Sequence, residues 1–155
     1  MSFEAEFKDD DLKKFLANFD KKLKQVKDGK KQYAALMSSI IFEDITRHFE
    51  NEEGEKGKWQ SWSASYAKAM QAKGMGGNKI LQYNGRLRQN FKPTSHRSVK
   101  DGIIWFNDAK TAKGFPYAWF HNDGAKKKRD FMWASDKALE KMSDQTLAFI
   151  LDKGI

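Results

Sequence analysis

Three histidines, His48, His96 and His121, are the side chains whose ordinary pKa lies near neutrality, so they are where acid–base or metal chemistry would begin. They fall in separate segments, without the HxH or HxxxH spacing by which ligands share one face of a strand or helix. His121 with Asp123 is the one suggestive pair. A general base needs a nucleophile to activate and a third group to orient it, and nothing beside this pair supplies them. The chain has no cysteine, which removes thiolate metal sites, cysteine nucleophiles and disulfides together. No catalytic set, metal or cofactor is expected.

Two further motifs invite phosphate chemistry. KGMGGNK at 73–79 is glycine-rich, but a phosphate loop needs GxxxxGK[ST] after a buried strand, and a helical pattern precedes it here. It reads as a turn. Lys126, Lys127, Lys128 and Arg129 form the densest basic run, which suits a solvated loop tip or a contact with phosphate or an acidic protein. The aromatics around it, Tyr117, Trp119, Phe120, Phe131 and Trp133, suit base stacking or, as the preferred reading, core and interface anchoring.

Charge concentrates in the same region. Residues 54–135 carry 16 basic and 5 acidic residues, more than the whole net charge of +8. Such a field favours acidic partners, whether nucleic acid or another protein.

The elements that must position these groups follow from periodicity. Leu12, Phe15, Leu16, Phe19, Leu23 and Val26 predict an amphipathic helix over 9–27, and Gly29 ends the pattern. Tyr33, Leu36, Met37, Ile40, Ile41, Ile45 and Phe49 predict a second helix over 32–49, packed on the first or on a sheet. NEEGEKGK at 51–58 reads as a loop, and Ser63 as the N-cap of a short helix reaching about Lys73. A helical turn is expected over 79–83, stopped by Asn84 and Gly85. Modest strand signal covers 88–95, and 98–107 reads as a hairpin turning at Asp101-Gly102, with Ile103–Phe106 as the best-buried strand. Residues 109–116 read as a loop, 117–121 as a helical turn or a short strand, and 129–133 as a short strand. A last helix over 136–151, capped by Ser135, carries Leu139, Met142, Thr146, Leu147 and Ile150. This order predicts an α+β fold: two N-terminal helices, a small mainly antiparallel sheet and a C-terminal helix. One domain over 1–155 is expected, with residues 1–30 peripheral and 31–151 as its core. No apolar run is long enough to cross a membrane, and MSFEAEFKDDD lacks the features of a signal peptide, so a soluble cytoplasmic product is expected.

The order of motifs adds something composition does not. WxxWSxSYAKxMxxKG, then KILQYNGRLRQNF, then YAWFHNDGA, then RDFMWxS resembles the phage virion morphogenesis or tail completion proteins, the Mu gpG-like and gpS-like group. The matching positions include Trp59, Trp62, Leu81, Gly85, Leu87, Gly124 and Phe131 as structural motif residues. The resemblance implies a virion structural subunit, made in the bacterial host cytoplasm, which assembles in a ring where the tail is completed or joined to the head. Its partners would be its own copies and tail or connector proteins. Tyr117, Trp119, His121, Lys126, Lys127, Lys128 and Arg129 are the candidate partner contacts. A basic nucleic-acid-binding module is the alternative.

Overall fold

The second helix is the element around which the rest is arranged, because its sequence offers a continuous buried face. The structure, a computed structural model, describes residues 9–27, 31–82, 84–100, 102–124 and 129–151; Gly29, Tyr83 and Asp101, read above as punctuation or turn residues, lie outside those ranges. Helix α1 (Asp9–Lys27) precedes α2 (Lys31–Asn51). On α2, Met37, Ile40, Ile41, Ile45 and Phe49 are buried at helical spacing, and the small or polar Ala34, Ser38, Asp44 and His48 are buried with them.

A two-residue hairpin follows, β1 (Glu53–Gly54) against β2 (Gly57–Lys58). It closes the segment read as an open loop. Helix α3 (Ala64–Ala72) starts at Ser63, whose hydroxyl accepts the Tyr66 N–H, and KGMGGNK after it is a succession of turns. Helix α4 (Arg86–Asn90) is followed by the antiparallel pair β3 (His96–Val99) and β4 (Gly102–Trp105). Helix α5 (Tyr117–Trp119) widens into a π-turn at Phe120–Gly124, and α6 (Asp136–Ile150) starts at Ser135, which accepts from Ala138 N–H. The fold is α+β, with its sheet split into two antiparallel hairpins. No described helix is long and apolar enough to span a membrane.

Several expectations are corrected. Residues 86–90 are helical and not part of a strand over 88–95, because Gly85, at φ +70°, starts a turn whose carbonyl accepts from Gln89 N–H. Residues 79–82 form a single hydrogen-bonded turn, from Gln82 N–H to the Lys79 carbonyl, in place of the helical turn expected over 79–83. Gly102 pairs with Val99, so it belongs to the strand and not to the turn. Its strand is not the best buried, since alternation puts Ile104 and Phe106 outward while Trp105 donates inward to Ser38 Oγ at 2.8 Å.

Residues 129–133 form no strand. Their backbone groups are met by side chains instead: Asn122 Oδ1 accepts from Phe131 and Met132 N–H, Trp59 Nε1 donates to the Asp130 carbonyl, and His48 Nδ1 lies 3.1 Å from the Phe131 carbonyl. On α6 the inward residues are Ala138, Met142, Thr146 and Phe149, while Leu139 and Leu147 are exposed. Tyr33 sets that rotation, bonding Thr146 through its hydroxyl at 2.9 Å and packing on Phe149 at 5.6 Å. Helix α1 lies against α6, with Lys22 Nζ over the Phe149 ring, yet Leu12, Phe15, Leu16 and Leu23 remain 44–52% exposed.

Candidate functional site

The last carbonyls of α2 have no partner within the helix, and side chains from the following segments supply them. Gln82 Nε2 donates to the Phe49 carbonyl at 2.8 Å, Lys79 Nζ to Glu50 at 2.6 Å and Lys58 Nζ to Asn51 at 2.6 Å. Ile80 N–H bonds the Glu52 carboxylate. These ties hold the turn at 79–82 so firmly that Leu81 sits at φ +60°, a left-handed conformation that costs a side-chain-bearing residue about 1–2 kcal/mol. Leu81 packs against the core cluster that contains Leu87, and both give apolar lining to a recess.

Beyond that lining, Asn107 Nδ2 donates to the Leu87 carbonyl and Asn90 Nδ2 to Asp108 Oδ1, which fixes the loop carrying Lys110 and Thr111 against α4. The segment from Pro116 to Arg129 closes the other side. Phe120 N–H bonds the Pro116 carbonyl, and Arg129 N–H bonds the His121 carbonyl at 2.9 Å, bringing Arg129 back beside the π-turn.

The result is a cavity of about 660 Å³, lined from Ser61 to Leu87 on one side and from Lys110 to Arg129 on the other. Trp62 and Tyr66 at the start of α3 stand on one side with their rings edge to face at 5.4 Å and 82°. Three cationic residues from different segments, Arg86, Lys110 and Arg129, line it together with Tyr117 and His121. No carboxylate is among the described lining residues. The ion pairs described elsewhere join Arg47 to Asp44, Arg88 to Glu50, Lys141 to Glu43 and Lys58 to Glu53, leaving these three cations aside. Arg129 Nε and His121 Nδ1 are shielded from solvent and have no hydrogen-bond partner among the described residues. Burial pushes the His121 pKa below its ordinary value, and the Arg129 guanidinium pushes it the same way.

The sequence-predicted residues thus divide. Trp62, Leu81, Leu87, Tyr117, His121 and Arg129 meet at this one recess. Trp59 and Phe131 are core residues, 6% and 0% exposed, both packed on Phe49. Gly85 starts α4 and Gly124 ends the π-turn. Trp119 points away and is 58% exposed. Lys126, Lys127 and Lys128 lie outside the described residues, as does the Asp123 side chain of the suggested pair. Among the described residues no cluster of three His, Asp or Glu is suited to a metal ion.

A second polar cluster escaped the sequence reading. Asp44 accepts from Ser135 Oγ and Arg47 at Oδ1 and from Ser135 N–H at Oδ2, and His48 Nε2 lies 3.5 Å from Oδ2. The spacing of Asp44 and His48, four apart inside an apolar stripe, is the signal that would have revealed it. The order is Ser–Asp–His with the carboxylate in the middle, and Ser135 Oγ is already engaged by Ala138 N–H and Arg47, so its hydroxyl is held as a structural donor.

Comparison with protein-family models, curated proteins and solved structures finds no match for the chain.

Proposed function

We propose that the chain is a structural subunit of a tailed bacteriophage or prophage, acting in tail completion or head-to-tail joining through protein contacts and not through catalysis. The observation that carries this reading is a group of outward-facing aromatics around α5: Trp119 at 58%, Phe115 at 47% and Phe120 at 37% exposure. Phe115 and Phe120 pack on each other at 5.4 Å. Large exposed aromatics side by side are the composition of an interface centre and an unfavourable surface for a protein that meets only water. The order of motifs resembling the tail completion proteins supports the same reading.

A ring built head to tail needs two unlike patches on each subunit. The aromatic group is one candidate, and the exposed α1 stripe of Leu12, Phe15, Leu16 and Leu23 is a second of different shape and chemistry. The subunit would be made in the host cytoplasm and end in the virion. Native mass spectrometry with electron microscopy of assembly products is the test. Closed oligomers, or a complex with tail or connector proteins, are expected. A strictly monomeric chain that binds neither overturns the proposal, and tight DNA binding that weakens steeply with salt would favour the nucleic-acid alternative.

A further inference from the structure

The geometry points to the recess between α3, α4 and the π-turn as a receptor for an acidic peptide segment, its carboxylate held by Arg86, Arg129 and Lys110. The inference rests on the reading of the chain as one that acts through protein contacts, and names what that contact recognises.

Three arguments lead there. The first is charge: three cations converge on one cavity, no described lining residue is acidic, and the described ion pairs that could neutralise them lie elsewhere. Asp108 lines an adjoining recess with Arg86 and Lys110 but forms no ion pair with them among the described residues, so an anion placed among the three cations lowers their mutual repulsion. The second is hydrogen bonding. The Arg129 guanidinium donates through Nη2 to the Gln60 carbonyl, but its Nε is shut away from water with no acceptor among the described residues, and His121 Nδ1 has no partner among them either. Buried polar atoms are nearly always satisfied, so an acceptor arriving in the recess meets a vacant donor in place.

The third is shape, which separates a peptide from other anions. At about 660 Å³ the cavity is far larger than one phosphate needs and lies in the range of sites that enclose extended ligands. At the start of α3 one of the backbone N–H groups a phosphate would use is already taken, since Ser63 Oγ accepts the Tyr66 N–H. Trp62 and Tyr66 stand edge to face and form no parallel slot for a base. With Leu81 and Leu87 they offer apolar surface to the stem and neighbours of an acidic side chain.

The test uses the full chain and four probes, followed by calorimetry at low salt: an N-acetylated hexapeptide alternating Glu and Phe, its Gln-for-Glu analogue, inorganic phosphate, and a single-stranded oligonucleotide. The acidic peptide should bind saturably and the Gln analogue at least tenfold more weakly. Arg129→Gln and Arg86→Gln should each weaken the acidic peptide about tenfold, the loss of one charge-assisted hydrogen bond. Lys110→Gln, at an exposed residue, repeats the test where the arginine variants lose stability. Equal binding of the two peptides, no binding, unchanged binding in the variants, or tighter binding of phosphate or oligonucleotide overturns the inference. The two proposals fail separately: peptide binding by a chain that never assembles would keep the receptor and remove the assembly role. Assembly without peptide binding would do the reverse.

Discussion

Asp44 on α2 and Ser135 at the start of α6, 91 residues apart in the chain, hold each other by two hydrogen bonds, Ser135 N–H to Oδ2 at 2.8 Å and Oγ–H to Oδ1 at 2.7 Å. Both residues are buried. The serine also caps α6 through Ala138 N–H, so one carboxylate sets where the last helix begins and how it meets the second.

Replacing Asp44 should therefore cost more than a surface acid would. Asp44→Ala leaves a buried N–H and hydroxyl without their acceptor, a loss of about 3 kcal/mol, and thermal unfolding should fall by about 6–12 °C. Asp44→Asn keeps one acceptor oxygen and should lose less. A fall under 2 °C for the alanine variant would mean the two helices are held by something else.

The same carboxylate predicts a pH dependence. Burial alone would raise the Asp44 pKa, but the two Ser135 bonds, Arg47 and His48 outweigh it and hold the pKa below the ordinary carboxylate value. A depressed folded pKa gives stability that is present above about pH 4 and is lost as pH falls through the folded value. Denaturant unfolding from pH 7 to 3 should show a shallower acid loss in Asp44→Asn than in the parent chain.

Phe131 tests the core. It is fully buried against Phe49 at 5.1 Å, in a segment that belongs to no strand. Phe131→Ala should destabilise by about 3–5 kcal/mol, read by denaturant unfolding, because the ring's contacts are lost and a cavity is left. Trp119→Ser is the contrasting case. The ring is mostly solvated, so stability should stay within about 0.5 kcal/mol while native mass spectrometry shows assembly weakened. Unchanged assembly would remove Trp119 from the interface.

How much of this was legible in the sequence depends on whether a side chain's partner was close along the chain. The long helices and their serine caps were, because helical periodicity and capping are local. The segment at 129–133 was not: its apolar residues look like a strand, but the groups that satisfy its backbone, Asn122, Trp59 and His48, come from three other places. Leu139 and Leu147 were misplaced for a related reason, since the rotation of α6 is set by Tyr33, which lies more than a hundred residues away. The recess was half visible. Its residues were flagged, yet the bonds that bring its two sides together, from Asn107 to the Leu87 carbonyl, from Asn90 to Asp108 and from Arg129 to the Gln60 carbonyl, join residues distant along the chain.

His121 is where the recess can be read by spectroscopy. It should titrate below its ordinary value, near 6.5, burial being the larger cause and Arg129 the second. The folded chain then holds this proton less tightly than the unfolded one. The stability linked to it is complete above about pH 6.5, declines as pH falls from there, and levels off below the folded pKa. Arg129→Gln should raise the His121 pKa only part of the way, since removing the guanidinium leaves the burial. Proton NMR of the imidazole resonance in both chains measures this directly. A His121 that titrates at its ordinary value in the parent, or that does not move in Arg129→Gln, would mean the guanidinium and the imidazole do not share the recess.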